Sequence, residues 1–313
     1  MSDERLGRVL AIMNGKGGVG KTSLAGNVAA LTAAAGYRVL VADLDPQGNL
    51  AEELGYVASD IDDAGEALAT AMQFGRRVTP TPLRNGLDVL PGGEYLEDLE
   101  SVLSTRSDRS TRRTDAHGAL AAALAPVAGE YDLVILDCPP GSPVIQTAAL
   151  GAARWLIIPT RTDDSSRKGL VKVARRYADA RERGAAVELL GVCLFGVTTS
   201  AKKVRSEARA DLEKDLGSAA PVFDTVVRYA EAAAVESRRR GVPVHELEAA
   251  GLDAPRWYER LRNPSVVADV VPGSAATLAA DYAHLAQEIL RTLQDRESTV
   301  DLREQSPAAE VRA

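Results

Sequence analysis

The chain has 313 residues, of which 45% are hydrophobic and 26% charged, so it can bury a substantial core as one large domain or two small ones. Its formal net charge of −7 argues against a protein coated with positive charge for nucleic acid and restricts any DNA contact to a local basic patch. The two cysteines, Cys138 and Cys193, lie in separate apolar runs without metal-site spacing, and we interpret them as reduced core thiols.

The first segment, "MSDERLGRVL", is acidic and short of apolar residues. No apolar run in the sequence approaches the ~20 residues that a membrane-spanning helix needs. We therefore expect a cytoplasmic protein that is neither exported nor embedded in a membrane.

Short apolar runs alternate with helical patterns along most of the chain. "RVLAIM" is followed by a helical pattern from about Thr22 to Ala35, and "YRVLVAD" follows Gly36 at once. Further strand candidates are "LDVLP", "YDLVILD", "WLIIP", "LLGVCLFGV" and "VFDTVV". Because these runs are apolar on nearly every residue and alternate with helices, they predict an α/β fold with a mostly parallel, twisted sheet and helices on both faces.

The same pattern predicts a single domain over residues 1–294. Two segments interrupt it, neither of which reads as a domain boundary. The polar, basic segment Ser104–Asp115 is predicted to be a solvated loop, and residues 245–274 have proline and glycine at irregular spacing. The polar residues 295–313 are predicted to be a disordered tail.

The segment "NGKGGVGKTS" follows the first strand and opens the first helix. It fits G-x-x-x-x-G-K-[ST], in which glycines let backbone N–H groups surround phosphate oxygens at the positive end of a helix. Lys21 then reaches the terminal phosphates, and the Thr22 hydroxyl ligates Mg²⁺. The sequence thus predicts an ATP and Mg²⁺ site in a P-loop NTPase-type fold. The residues expected to contact the nucleotide are Gly15, Lys16, Gly17, Gly18, Val19, Gly20, Lys21, Thr22 and Ser23.

Lys16 is a second lysine in this loop. Since Lys21 already fills the loop, a second ammonium has little room on the same phosphates, and we expect Lys16 to point toward phosphates held by another subunit. This predicts a nucleotide sandwich dimer. The alternative is an ordinary solvated lysine beside a phosphate loop.

Aspartates end two of the predicted strands. Asp43 and Asp45 end "VLVADLD", and Asp137 ends "YDLVILD", at the carboxyl edge where α/β sheets bind their ligands. A strand-terminal aspartate next to a phosphate loop holds Mg²⁺ through water, so Asp137 is expected beside Thr22. A solvated Asp-Pro turn is the alternative explanation of Asp45.

"KGGVGKT", "DLDPQGN" and "DCPPG" together resemble the deviant Walker A ATPases of the ParA/MinD superfamily. The resemblance implies that Lys16 acts across the dimer interface and that Asp45 positions or polarises the attacking water. It also implies that Asp43 supports the Mg²⁺ shell and that the Pro139–Gly141 turn responds to the γ-phosphate. The expected activity is Mg²⁺-dependent ATP hydrolysis with weak intrinsic turnover, in which Lys16, Lys21 and Asp45 are the catalytic residues.

Several branches of the superfamily do not fit. The tail after Asp295 has too few large apolar residues for a membrane-binding helix, and the cysteines of cluster-carrying relatives and the C-terminal tyrosines of kinase relatives are missing. What remains is the ParA group. The resemblance of this sequence to that group implies a nucleoid-associated homodimer that forms in the presence of ATP. Its expected partners are non-specific double-stranded DNA and a ParB-like adaptor that triggers hydrolysis. No N-terminal helix-turn-helix region is expected, because the first strand starts by Arg8.

Positive charge clusters in "RKGLVKVARRYADARERG" and "SAKKVRSEAR", and "FDTVVRYAEAAAVESRRRGVPV" resembles a ParA segment. On a dimer these residues would form one basic face that contacts phosphates. The alternative is that they are solvated helix faces balanced by nearby acids. The candidate DNA contacts are Lys202, Lys203, Arg228, Arg238, Arg239 and Arg240.

Two other functions use the same motifs. A related ATPase that positions a protein cargo, such as a microcompartment or a signalling cluster, would share the nucleoid binding but use another adaptor. A metabolic or assembly ATPase would use the loop to activate a small molecule and would ignore DNA. A scaffold without turnover is disfavoured, because Asp45 and the Mg²⁺ ligands are all present.

Overall fold

The computed structural model describes residues 3–107, 116–197, 202–216, 221–252 and 271–305. Its strands are β1 Val9–Ile12, β2 Val39–Asp43, β3 Thr81–Arg84, β4 Leu87–Leu90, β5 Leu133–Asp137, β6 Trp155–Thr160, β7 Glu188–Val197 and β8 Val227–Arg228. They form one sheet in the order β3-β4-β2-β5-β1-β6-β7-β8. Every neighbouring pair is parallel except β3 and β4. The predicted mostly parallel α/β fold is confirmed.

Helices cover both faces of this sheet. They are α1 Lys21–Ala34, α2 Leu50–Leu54, α3 Glu66–Phe74, α4 Tyr95–Ser107, α5 Ala116–Ala128, α6 Pro143–Ala152, α7 Asp164–Glu182, α8 Lys202–Leu216, α9 Glu231–Arg240, α10 Val244–Leu252 and α11 Ala275–Gln305. One core cluster contains buried residues of α3 to α8, and the other contains residues of α1, α2, α9, α10 and α11. Successive β1 residues alternate between these clusters, with Val9 in one and Leu10 in the other. This two-sided burial explains why the strands are apolar on nearly every residue.

The sheet topology brings the predicted site residues to one edge. β1 lies between β5 and β6, so the loop after β1 emerges near the middle of the carboxyl edge. β2 and β5 are neighbours in a register that pairs Asp43 with Asp137. Within the described residues, none of the helices has the length and apolar content to span a bilayer.

The sequence analysis did not predict strand β3, and it predicted a longer strand than the observed β8. β3, with Pro82 in it, is an antiparallel edge strand, the place where a sheet tolerates a residue without an N–H donor. "VFDTVV" forms only the two-residue β8 and an isolated bridge between Val222 and Val192.

Two polar segments are more helical than predicted. α4 continues to Ser107, so the first residues of the predicted loop Ser104–Asp115 are helical, and residues 108–115 lie outside the described chain. α11 continues to Gln305, so the predicted disorder of residues 295–305 is wrong. An ion pair of 3.0 Å between Glu297 and Arg8 ties this polar extension to the residue before β1. Residues 306–313 of the predicted tail are outside the description.

Candidate functional site

The loop between β1 and α1 is anchored at its first residue. Asn14 is fully buried, and its Nδ2 donates to the carbonyl of Pro159 at the end of β6, at 2.7 Å. Its Oδ1 accepts the N–H of Lys16 at 2.9 Å. The Asn14 side chain therefore fixes the start of the loop to the neighbouring strand.

The end of the loop requires glycine. Gly20 is the N-cap residue of α1 and has φ of 87°, in the left-handed region that L side chains rarely adopt. A Cβ atom at this position would also overlap the ring of Phe195. Because Gly20 has no side chain to cap α1, the first N–H groups of this helix stay available to an anion.

Lys21 lies inside the site. It is 6% exposed, and its Nζ donates to the carbonyl of Lys16 at 3.1 Å. Burial lowers the pKa of Lys21, whereas the nearby carboxylates of Asp137 and Asp45 act in the opposite direction. An ammonium that is desolvated in this way interacts strongly with any anion that enters the loop.

Asp137 has the properties of a cation ligand. It is 1% exposed, and burial raises its pKa to about 7, while the Thr22 hydroxyl and the Lys21 ammonium oppose the increase. Within the part of the chain that the structure describes, no donor lies in hydrogen-bonding geometry to either carboxylate oxygen of Asp137. A buried carboxylate with free lone pairs beside a hydroxyl fits Mg²⁺, which takes its other oxygens from phosphates and water.

Among the described residues, no three histidine, cysteine or carboxylate side chains converge as an all-protein metal site would require.

Asp43 and Asp45 have different environments. The two oxygens of Asp43 accept the N–H groups of Asp45 at 2.9 Å and Leu50 at 3.1 Å, so this fully buried carboxylate holds the turn that carries Asp45. Burial raises the pKa of Asp43 well above its usual value, and Asp137 adds to the increase. Asp45 accepts the N–H of Gln47 at 3.0 Å and lines the cleft. Asp43 therefore supports the turn that carries Asp45, and its support of the Mg²⁺ shell stays a prediction.

Lys21, Thr22 and Asp45 line a cleft of about 520 Å³. Its inner end is formed by the loop from Gly17 to Ser23 and by Asp45. Its outer end is formed by Phe195, Tyr282 and residues of β8 and α9. A larger cavity of about 720 Å³ lies at the opposite edge of the sheet and contains no residue of the loop, so it is not the site of this chemistry.

Lys16 is not among the residues that line the cleft. Its Nζ lies 2.8 Å from Oδ1 of Asp163 and 3.4 Å from Oγ of Ser166, near the start of α7. Its side chain is 34% exposed. The two lysines of the loop are therefore separated, one inside the cleft and one beside it.

Sequence reasoning missed Glu53. This residue is 5% exposed, accepts the Ser23 hydroxyl at 2.6 Å and lies 3.8 Å from a guanidinium nitrogen of Arg238. Ser23, a predicted nucleotide contact, is thus bound to α2. The sequence carries no signal for this contact, because it joins residues 30 positions apart.

The predicted DNA contacts whose side chains the structure describes lie beside acids of the same chain, and Arg238 is 3.8 Å from Glu53. Arg228 is held by both oxygens of Asp281, at 2.6 and 2.7 Å, and its contact with DNA stays a prediction. Arg239 and Arg240 both pair with Glu236. Lys202 and Lys203 begin α8, but their side chains lie outside the description.

Comparison with known families gives one domain match. The model of the AAA domain family matches residues 7–186. The chain is 32% identical over 254 residues to the chromosome partitioning protein ParA of Caulobacter vibrioides, covering 79% of this chain and 90% of that protein. It is 39% identical over 166 residues to ParA of Myxococcus xanthus, covering 53% of this chain and 56% of that protein. The second match therefore spans little more than half of its relative.

Solved structures share the fold. An ATP complex of Cyanothece McdA superposes with a TM-score of 0.70 at 20% identity, covering 90% of this chain and 96% of that one. The cobyrinic acid a,c-diamide synthase of Mycobacterium smegmatis, with an ATP analogue and magnesium bound, has a TM-score of 0.60 at 25% identity, covering 83% and 98%.

Proposed function

This chain belongs to the AAA domain family and to its ParA-like ATPases, and from that membership we propose that it is a DNA partition ATPase. ATP closes two copies into a sandwich dimer, and the dimer binds double-stranded DNA without sequence preference on the nucleoid. A ParB-like adaptor then stimulates hydrolysis and release. Repetition of this cycle would move a plasmid or chromosome segment.

ATP and Mg²⁺ are the cofactors. Solved neighbours carry ATP, or an ATP analogue with magnesium, and the residues of this chain fit both groups. The free N–H groups at the start of α1 and the buried Lys21 would hold the phosphates. Asp137 and Thr22 would hold Mg²⁺, which neutralises charge that develops on the phosphates during transfer.

Asp45 would act on the attacking water. Its carboxylate lines the cleft, and the turn that carries it is fixed by Asp43. A carboxylate in this position accepts a hydrogen bond from water and orients its lone pair toward the terminal phosphate. Hydrolysis then requires only one further cation on the developing charge.

The single observation that supports this proposal best is the separation of the two lysines. Lys21 fills the cleft of its own subunit, and Lys16 lies outside it, paired with Asp163 at 2.8 Å. A cation that has no place on its own nucleotide, but borders the site, is suited to the nucleotide of a facing subunit. A lone subunit would then lack one catalytic charge and turn over weakly.

The test is ATP hydrolysis by the purified chain, measured with and without duplex DNA and with the product of the adjacent gene. We expect slow turnover alone and strong stimulation when both are present, together with ATP-dependent gel shifts of non-specific duplex that weaken as salt rises. Duplex binding that ignores ATP would contradict the proposal. Turnover that depends on a small molecule and ignores DNA would indicate a metabolic ATPase instead.

A further inference from the structure

Three cations form an exposed row on the first turns of α7. Lys168, Lys172 and Arg175 are exposed, and their spacing of four and three residues places them on one face of the helix. At a rise of about 1.5 Å per residue, the row is about 10 Å long. Asp179 and Glu182 follow on the same helix, together with Arg176 and Arg181.

The row is available for binding. Among the residues and side chains that the structure describes, no carboxylate forms an ion pair with any of the three cations. By contrast, Arg228, Arg239 and Arg240 all pair with acids of their own subunit. A surface cation without an ion pair can bind a DNA phosphate directly, and the counterions released from the DNA favour binding. A cation in an ion pair must first break that pair, which weakens its contribution to the affinity.

The row adjoins the phosphate loop. A Cβ atom added at Gly15 would lie 3.0 Å from the carbonyl of Gly169 and 3.2 Å from Cβ of Lys172. α7 therefore packs directly on the loop, and a side chain at position 15 would be tight against it. A ligand on the row would lie next to the nucleotide site.

A buried relay also connects α7 to the turn after Asp137. The guanidinium of Arg176, adjacent to the last cation of the row, donates to Oε1 of Gln146 on α6. Nε2 of Gln146, which is fully buried, donates to the carbonyl of Pro139 at 2.5 Å. A change in the Pro139–Gly141 turn on nucleotide binding would reach α7 through these two hydrogen bonds.

We propose that Lys168, Lys172 and Arg175 are the cations that contact the phosphate backbone of duplex DNA, and that the Arg176–Gln146 relay makes this contact depend on the bound nucleotide. The inference rests on the proposed function, because it names the surface that binds the DNA. Contacts from three cations to phosphate oxygens carry no base information, in agreement with binding that is independent of sequence. A lipid surface fits less well, because Val171 is the only large apolar residue exposed along the described part of this face.

The test is duplex affinity of the ATP-loaded full chain, measured by fluorescence anisotropy over a series of salt concentrations. The variants are Lys172→Gln and Arg175→Gln, which keep much of the side-chain stem, and their combination. Arg183→Gln, an exposed cation just beyond α7, is the matched control. We expect the slope of log affinity against log salt to fall by about 0.9 for each cation removed from the row and to stay unchanged in the control.

ATP binding and ATP-dependent dimerisation are measured on the same samples. Arg175 lies farther from the loop than Lys172, so a loss of duplex affinity in Arg175→Gln with normal ATP binding indicates a lost DNA contact rather than a disturbed nucleotide site. If the wild-type chain binds duplex and the row variants bind it equally well, the inference fails and the proposed function stands. If the ATP-loaded wild-type chain binds no duplex, both fail. Binding to vesicles of anionic phospholipid, with no binding to duplex, would also overturn both.

The relay has its own readout. Arg176→Met removes the donor to Gln146 and leaves the three cations in place. We expect duplex affinities in ATP and ADP to become similar in this variant. A ratio of ATP to ADP affinities that equals the wild-type ratio would overturn the relay.

Discussion

At the scale of single residues, the two lysines of the loop differ in what holds them. Lys21 is buried in the cleft, whereas Lys16 is paired with Asp163, and both members of this pair are more than a third exposed at the side chain. Ion pairs this exposed contribute about 0–1 kcal/mol. In the proposed dimer, the triphosphate of a facing subunit would compete with Asp163 for Lys16.

Asp163→Asn tests this competition. The amide oxygen can still accept the N–H of Ser166 and cap α7, but the charge that holds Lys16 is gone. We expect ATP-dependent dimers to form at a protein concentration up to about fivefold lower, as measured by analytical ultracentrifugation. Weaker or unchanged dimerisation would show that the pair does not oppose closure.

Gly20→Ala tests the geometry of the phosphate loop. The left-handed backbone at Gly20 disfavours alanine, and its Cβ would overlap the ring of Phe195. We expect the free energy of unfolding to fall by about 1–3 kcal/mol and ATP affinity to fall with it. Gly17→Ala is the control, since a Cβ there meets no atom within 4 Å. Equal stability of the two variants, measured by chemical denaturation, would contradict this account.

The sequence predicted the loop residues because they are contiguous, and each has a chemical reason to stand at its position. It also predicted Asp45 and Asp137, because one follows the end of an apolar strand by two residues and the other ends an apolar strand. It did not predict that Asp43 holds a turn, that Glu53 binds Ser23 or that Asp281 occupies Arg228. Each of these contacts joins residues whose proximity depends on the packing of separate elements.

At the scale of elements, the outer end of the cleft depends on how α11 is attached to the sheet. Asp281 of α11 accepts the backbone N–H and two guanidinium nitrogens of Arg228 in β8. Asp281 is 8% exposed. This carboxylate therefore fixes the short edge strand that borders the cleft.

Asp281→Asn should lower the free energy of unfolding by about 1–3 kcal/mol, because the guanidinium of Arg228 would lose its charged partner in a partly buried place. Glu297→Gln on the same helix removes only the exposed ion pair with Arg8 and should change the free energy of unfolding by less than about 1 kcal/mol. Urea denaturation compares the two variants. A loss in Glu297→Gln as large as that in Asp281→Asn would argue against a special role for Asp281.

The central strands were predictable because two-sided burial leaves continuous apolar runs. The edge strands could not be predicted in the same way, because β3 contains a proline and β8 has only two residues. The helical end of α11 was missed for a related reason. Its sequence is polar, and an ion pair links its described part to the residue before β1.

At the scale of the whole molecule, a net charge of −7 and a DNA-binding function are compatible only if positive charge is concentrated. Among the described residues, several basic side chains pair with acids, and a short row of cations without an ion pair lies on α7, beside the loop. Two copies that face each other across their loops would bring two such rows to one assembly. The nucleotide-dependent dimer is therefore the claim on which the proposed function and the DNA surface both depend.

A mixture of two inactive variants tests that claim most directly. Lys16→Ala keeps its own Asp45 but has no lysine to lend, whereas Asp45→Asn can lend Lys16 but cannot hydrolyse its own ATP. In a mixed dimer, the site with an intact Asp45 receives Lys16 from its partner. Equal amounts should therefore restore about a quarter of the wild-type ATPase rate, since about half of the dimers are mixed and each has one complete site. A mixture no faster than the average of the two variants alone would contradict the account.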